Sequence, residues 1–128
     1  MELLLDACTF LWRAMPQGKL SVNAATHLDD RTNNLFFSDV SIWEICLKYS
    51  RGKLPLPDEP RRWVTEQLAF FQIKSLPLNH DSIFRSGELP RVHADPFDRL
   101  LAAQAIEAGM TILSPDMPLS LLGASRIW

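Results

Sequence analysis

Five acidic residues of this chain occupy positions from which their carboxylates could act together. Asp95 and Asp98 lie three residues apart at the start of a predicted helix. Asp6 ends the first apolar run, Asp116 follows the last clear one, and Glu44 lies in an amphipathic segment. Carboxylates that converge in space repel one another and need a counter-charge, most simply a divalent cation. The pattern therefore favours a metal-dependent hydrolase.

The available ligand types indicate which metal such a site would hold. Oxygen ligands favour Mg²⁺ or Mn²⁺ over zinc, and His27, His80 and His93 form no paired zinc motif. We expect these histidines at the surface or in helix caps. Two such cations about 4 Å apart could activate water and stabilise the leaving oxygen of a phosphodiester, and one would suffice for the first task. With 5 glycines and no GxxxxGK[ST] motif, the chain does not resemble a nucleotide triphosphatase.

The elements that must position these acids follow from the apolar pattern. Strands are expected at 3–5, 35–37, 73–78, 110–113 and 126–128. Helices are expected at 9–15, 21–30, 39–51, 61–71, 81–86 and 95–109, with Gly87 and Pro90 breaking the fifth. Alternating strands and helices predict an α/β fold with three α/β/α layers and a central parallel sheet of four to five strands.

The carboxyl ends of parallel strands form the edge where ligands bind in such sheets. Asp6 and Asp116 follow strands at that edge. The helix that begins at Asp95 must run back along the sheet, so Asp95 and Asp98 come to the same edge. Topology alone therefore gathers four of the five acids.

Composition limits the class of protein and its partners. With 128 residues, 47% of them hydrophobic, the chain is expected to form a single domain over 1–128. A net charge of −2 is unlike that of most nucleic-acid binders, so any such contact needs a local basic patch. The N-terminus lacks a signal-peptide pattern and no run approaches a membrane span, which predicts a cytoplasmic protein. Cys8 and Cys46 are expected to be buried thiols.

Each acid also has an explanation without catalysis. Asp6 and Asp95 suit helix N-caps, and Asp98 lies where a capping-box partner would reach back. Asp116 suits an Asx turn, and Glu44 suits a solvated helix position. A non-catalytic protein-interaction module is therefore the main alternative. A metal-dependent phosphatase is a further one, and it would need a closed pocket.

Beyond these arguments, the chain resembles the PIN-domain ribonucleases, and specifically the VapC-type toxins of bacterial toxin–antitoxin pairs. The matching segments run through nearly the whole chain in the family's order: Leu3-Leu4-Leu5-Asp6, Leu11-Trp12, Ser41-Ile42-Trp43-Glu44-Ile45, Lys48, Gly52-Lys53-Leu54-Pro55, Leu89-Pro90, His93, Asp95-Pro96-Phe97-Asp98-Arg99-Leu100-Leu101-Ala102-Ala103-Gln104-Ala105 and Ser114-Pro115-Asp116. The Asp-Pro-Phe-Asp-Arg and Trp-Glu segments together are fairly specific for one VapC subgroup.

The resemblance implies a PIN-like fold and a Mg²⁺- or Mn²⁺-dependent endoribonuclease. It implies that the catalytic, metal-binding acids are Asp6, Glu44, Asp98 and Asp116. Asp95 and Ser114 are implied as supporting residues. Family members usually form homodimers and are neutralised by a small VapB-like antitoxin whose tail enters the active-site groove. Two positions depart from the family, since Ala7 stands where Thr is frequent and Cys8 where His is frequent.

RNA would have to be held by local cations and aromatic rings. The candidate RNA-binding cations are Lys48, Arg51, Lys53, Arg91 and Arg99. A solvated helix face explains them equally well, and Arg99 could instead pair with a neighbouring acid. Rings that could stack bases, although core or dimer packing accounts for most of them, are Trp12, Trp43, Trp63, Phe70 and Phe71.

Overall fold

The computed structural model describes residues 1–128 as five strands and seven helices. The strands are β1 (Glu2–Leu5), β2 (Asn34–Ser38), β3 (Lys74–Leu76), β4 (Thr111–Leu113) and β5 (Arg126–Ile127). The helices are α1 (Ala7–Ala14), α2 (Val22–Asp29), α3 (Asp39–Ser50), α4 (Pro60–Phe70), α5 (His80–Glu88), α6 (Pro96–Ala108) and α7 (Met117–Leu121). None of the helices combines the length and the apolar character that a membrane span requires.

All strand pairings are parallel, and the strand order is β3-β2-β1-β4-β5. The central strand β1 is apolar at Leu3, Leu4 and Leu5, and all three side chains are fully buried. A parallel strand covered on both faces requires such a continuous apolar run. Its neighbours β2 and β4 end beside it, since Leu5 pairs with Phe37 and with Leu113.

Two apolar clusters lie on opposite faces of the sheet. Leu3 and Leu5 point into one cluster, which packs against α1 to α4. Leu4 and Ile112 point into the other, which packs against α6, α7 and the end of α5. Alternate residues of a strand face opposite sides, so β1 contributes to both clusters. The predicted three-layer α/β/α fold is confirmed.

Polar caps fix where the helices begin at the carboxyl edge of the sheet. Asp6 caps α1 directly after β1, and Ser38 caps α3 directly after β2. Asp95 caps α6, with Pro96 in its first turn. Gly109 ends α6 in the left-handed conformation, at φ 66°. All four residues act as the sequence predicts.

Two features of the secondary structure differ from the prediction. Gly87 was expected to break α5, but it lies inside the helix, where a glycine costs about 1 kcal/mol relative to alanine. The chain instead leaves the helix at Leu89, whose extended backbone is favoured by Pro90. The short helix α7 was not predicted, and it forms because its Leu119 and the following Leu122 are buried.

The cysteine prediction was wrong. Cys46 is exposed on α3, because the buried side of that helix is supplied by Val40 and Ile45. Cys8 is half-buried rather than buried, and both thiols are free.

Candidate active site

A cleft of about 200 Å³ opens at the carboxyl edge of the sheet between α3 and α6. Its walls include all five acids singled out from the sequence: Asp6, Glu44, Asp95, Asp98 and Asp116. Glu44 joins the four acids that topology places there, since α3 starts at the end of β2 and packs against α6. Larger hollows exist elsewhere, but the largest, of about 540 Å³ between α3 and α4, is lined by no carboxylate.

Asp6 is the most deeply buried acid of the cleft, with 5% of its surface exposed. Its Oδ1 accepts a hydrogen bond from the Thr9 amide at 2.8 Å, and its Oδ2 accepts one from Ser114 Oγ at 2.5 Å. Burial raises the pKa of Asp6 from 3.8 to about 6, and the charge of Asp116 adds to this while the hydrogen bonds oppose it. The carboxylate is therefore rigidly held and poorly compensated.

Ser114 connects Asp6 with the loop that carries Asp116. Its hydroxyl donates to Asp6 and accepts a hydrogen bond from the Asp116 amide at 3.0 Å. Ser114 follows β4 and is fully buried, so it supports the carboxylate from beneath the cleft. Asp116 stands at the N-cap position of α7, but its side chain makes no capping hydrogen bond. Its carboxylate is free to serve the cleft.

Asp98 lies in the first turn of α6 and faces His93 and the cleft. Its Oδ2 is 2.7 Å from His93 Nε2. Burial raises the pKa of Asp98, the charges of Asp95 and Asp116 add to this, and the contact with His93 opposes it. The side chain of Asp98 thus contacts His93 rather than closing the alternative capping box.

His93, Asp95 and Asp98 together could hold a cation, because one ligand atom from each lies within 4.8 Å of the others. Asp95 also caps α6, with Oδ1 accepting from the Phe97 amide at 2.8 Å and from the Asp98 amide at 3.4 Å. The sequence reasoning placed His93 at the surface or in a cap. The sequence feature that could have indicated its contact with Asp98 is the short separation of the two residues, since the loop between them follows a turn near Pro90.

Lys48 is the one basic residue that lines the cleft. Its Nζ is 3.2 Å from Glu44 Oε2, one helical turn away on α3. Burial raises the pKa of Glu44, with Asp98 and Asp95 adding to the effect and Lys48 opposing it. The Lys48 ammonium therefore partly offsets the charge of Glu44, and four other acids share the cleft.

The donor set fits a divalent cation. Burial raises the pKa of three carboxyl groups, Asp6, Glu44 and Asp98, which shows that their ionised forms lack full compensation within the chain. Carboxylate oxygens are the ligands preferred by Mg²⁺ and Mn²⁺. An ion held among them would supply the missing positive charge.

The remaining predicted RNA-binding cations divide into two groups. Arg51, Lys53 and Arg91 are exposed. Arg99 instead donates five hydrogen bonds to backbone carbonyls, which belong to Ser86, Leu89, Pro90 and His93. Its guanidinium holds the segment that carries His93 and pairs with no acid. Contact of Arg99 with RNA remains a prediction.

Comparison with known proteins bears on the fold. Residues 3–120 match the sequence model of the PIN domain. No curated protein matches the chain significantly in sequence.

Several solved structures share the fold over almost their full length. The VapBC2 structure from Rickettsia felis, bound to a promoter DNA fragment, matches with a TM-score of 0.73 and 14% identity, covering 99% of this chain and 98% of that one. FitAcB from Neisseria gonorrhoeae matches with a TM-score of 0.70 and 16% identity, covering 98% of this chain and 96% of that one. VapBC-1 from nontypeable Haemophilus influenzae matches with a TM-score of 0.65 and 12% identity, covering 99% of this chain and 97% of that one. At such identities the likeness establishes the fold.

Proposed function

The chain belongs to the PIN domain family, and from this membership and its acidic cleft we propose that it is an endoribonuclease dependent on Mg²⁺ or Mn²⁺. The observation that carries the proposal is the cleft itself. Five carboxylates from separate parts of the chain line one hollow of about 200 Å³ with a single lysine among them. Uncompensated acids cost stability, and a fold that retains them is arranged to bind a cation.

In this proposal Asp6, Glu44, Asp98 and Asp116 hold the cation. When bound, a divalent cation polarises the phosphate, lowers the pKa of water and stabilises the negative charge of the departing oxygen. Asp95 supports the site by fixing the start of α6, two residues before Asp98 turns into the cleft.

The protein's own groups orient and compensate the acids. The Ser114 hydroxyl and the Thr9 amide each hold one oxygen of Asp6, which fixes the plane of its carboxylate. Lys48 holds Oε2 of Glu44, which leaves Oε1 available to the cation.

RNA would be guided to the cleft by cations at its rim. Lys48, Arg51 and Lys53 lie along the last turns of α3 and the segment that follows it, and Arg91 lies in the segment before His93. We propose that these residues form a local basic patch on a chain whose net charge is −2. Such a patch is what contact with phosphates requires.

We further propose that the protein is the toxin of a toxin–antitoxin pair. The VapBC structures from Rickettsia felis and Haemophilus influenzae share its fold over nearly their full length. By this analogy the partners are a VapB-like antitoxin, which would block the groove, and a second copy of the chain in a homodimer.

The competing hypothesis, a non-catalytic module that uses its acids only as caps, explains part of the site. Asp6 and Asp95 do cap helices. Asp116 makes no capping bond, Asp98 faces His93, and Glu44 lies inside α3. Three acids thus gather in the cleft without capping a helix, which favours the nuclease.

Thermal unfolding separates these two hypotheses without a known substrate. A cation that binds the folded state alone raises the melting temperature, and the stabilisation grows with the logarithm of one plus the ratio of the cation concentration to Kd. We expect Mg²⁺ to stabilise the wild-type protein and to have a much smaller effect on Asp98→Asn. No stabilisation by Mg²⁺ or Mn²⁺ would favour the interaction module.

The function itself is tested by cleavage of a mixed pool of tRNA and rRNA. Purified protein is incubated with Mg²⁺, and separately with EDTA, beside Asp98→Asn. The matched control is Asp81→Asn, which removes an exposed first-turn acid of α5 far from the cleft. Discrete fragments that need both Mg²⁺ and Asp98, and that persist in Asp81→Asn, support the nuclease. Full activity in Asp98→Asn would refute the assignment of the site.

A further inference from the structure

An aromatic pair stands at the rim of the cleft, between α3 and α6. The ring centroids of Trp43 and Phe97 are 4.9 Å apart, with the ring planes inclined by 61°. Trp43 directly precedes Glu44 on α3, and Phe97 directly precedes Asp98 on α6. Phe97 itself lines the cleft. The pair therefore adjoins two of the proposed cation ligands.

Trp43 is unusually exposed for a tryptophan. Its side chain is 52% exposed, while Trp63 is buried and Trp12 and Trp128 are half-buried against each other. Trp43 therefore leaves about half of its surface in water and forgoes the corresponding hydrophobic stabilisation. The edge-to-face contact with Phe97 holds the indole in place, so little side-chain entropy remains to be lost when a ligand covers it.

The chemistry of the surroundings indicates what would cover this ring. The cleft is acidic and the chain carries a net charge of −2, so electrostatic attraction gives a polyanion little affinity outside the basic rim. A nucleobase is uncharged and planar, and it can stack on an aromatic ring whatever the salt concentration. Lys48 lies on the same helix, five residues after Trp43, and could hold a phosphate of the same strand.

We propose that Trp43, braced by Phe97, stacks an unpaired base of an RNA strand whose scissile phosphate lies at the cleft beside Glu44 and Asp98. This inference rests on the proposed function and narrows its substrate. Base faces inside a duplex are already stacked, so a ring fixed beside the cleft selects single-stranded RNA or a loop. Trp43 is then a binding residue, and Phe97 a residue that positions it.

The test measures RNA binding separately from cleavage. A fluorescently labelled short single strand of mixed sequence is titrated at low salt in EDTA, where it stays intact. A strand of the same length and charge that lacks bases provides the comparison. We expect the wild-type protein to prefer the strand with bases. Trp43→Ala should bind that strand about tenfold more weakly and lose the preference, while Trp43→Phe should retain most of it.

Phe70→Ala is the matched control. Phe70 is 77% exposed and also makes an edge-to-face contact, with Phe71 at 4.9 Å, but it lines a different hollow that contains none of the five cleft acids. Its loss should leave RNA binding unchanged. With a cleaved RNA, Trp43→Ala should raise KM more than it lowers kcat, because the contact exists before the transition state.

Three results would overturn the inference: equal binding by Trp43→Ala, equal loss in Phe70→Ala, or no preference of the wild type for bases. If Trp43→Ala instead dissociates a dimer in sedimentation with RNA binding unchanged, the ring is a protein contact. A protein that cleaves RNA yet shows no base preference refutes the stacking alone. A protein that shows Trp43-dependent binding but no cleavage refutes the nuclease alone.

Discussion

The Ser114 hydroxyl donates a 2.5 Å hydrogen bond to the carboxylate of Asp6, although 108 positions separate the two residues. The two side chains meet because β1 and β4 are neighbours and Leu5 pairs with Leu113. Each residue follows its strand by one position, so the sheet register sets the distance between them. The contact fixes the most buried acid of the cleft.

We expect Ser114→Ala to destabilise the protein and to weaken its binding of Mg²⁺. Removal of the donor leaves a buried carboxylate oxygen without its partner, which costs about 1–3 kcal/mol. The loss is measured by urea unfolding in EDTA, and the cation affinity by calorimetry. Ser50→Ala, which removes an exposed hydroxyl at the end of α3, is the control and should change neither quantity. Unchanged Mg²⁺ affinity in Ser114→Ala would remove the serine from the site.

The stability of the cation-free protein should fall as the pH rises from about 4 to about 6. The folded state raises the pKa of Asp6 from 3.8 to about 6, so in this range the folded protein binds more protons than the unfolded chain. Ionisation of Asp6 therefore costs stability, of the order of 3 kcal/mol once the pH exceeds both values. Glu44 and Asp98, whose pKa values are also raised, act in the same direction.

Urea unfolding in EDTA across this pH range checks the prediction. Asp6→Asn should flatten the decline and should be more stable than the wild type at pH 7. Because the cation binds ionised carboxylates, the affinity for Mg²⁺ should increase as the pH rises toward and past 6. Stability that increases with pH between 4 and 6, in the absence of cation, would contradict the burial of an uncompensated Asp6.

Arg99→Lys should loosen the segment between α5 and α6. Lysine presents one ammonium and cannot reproduce the guanidinium that donates to the carbonyls of Ser86, Leu89, Pro90 and His93. We expect a loss of about 2 kcal/mol, since hydrogen bonds from charged groups each contribute about 1.5–3. Faster amide exchange in the segment 86–95 is the direct readout. Arg91→Lys, at an exposed arginine of the same segment, should leave that exchange unchanged.

Neutralising Lys48 and Arg51 together should weaken RNA binding and lower its dependence on salt. Each phosphate contact removed should reduce the slope of log K against log salt by about 0.7 for a single strand. Lys48→Gln with Arg51→Gln is compared with Arg61→Gln and Arg62→Gln, which remove two exposed arginines at the start of α4. If both double variants keep the wild-type slope, the basic rim does not contact phosphate.

The architecture could be predicted from local sequence rules, because the main features that set it determine where each strand or helix begins and ends. The apolar run Leu3–Leu5, the caps at Ser38 and Asp95, and the glycine stop at Gly109 each fix an element through its own neighbours. The parallel topology then brings the acids to one edge. The short helix α7 was not predicted, because five residues are too few to show a helical periodicity. The burial of Leu119 stabilises it.

The side-chain contacts of the site were harder to predict from sequence. No local pattern shows that Arg99 turns toward carbonyls, and the five-residue spacing of His93 and Asp98 does not by itself bring their side chains together. Such side-chain contacts depend on how a loop folds back and on which polar groups burial would otherwise leave without a partner. The exposure of Cys46 has the same origin, because the rotation of α3 about its axis decides which residues the core covers.

The position of β4 between β1 and β5 determines when the cleft can exist. During synthesis the ribosome releases Asp6 long before it releases Ser114 and Asp116, and until then the buried carboxylate has neither its serine partner nor the strand beside it. A chain arrested or cut before residue 111 therefore carries most of the acids but no assembled centre. Whatever chemistry the cleft performs begins only when β1 and β4 have paired.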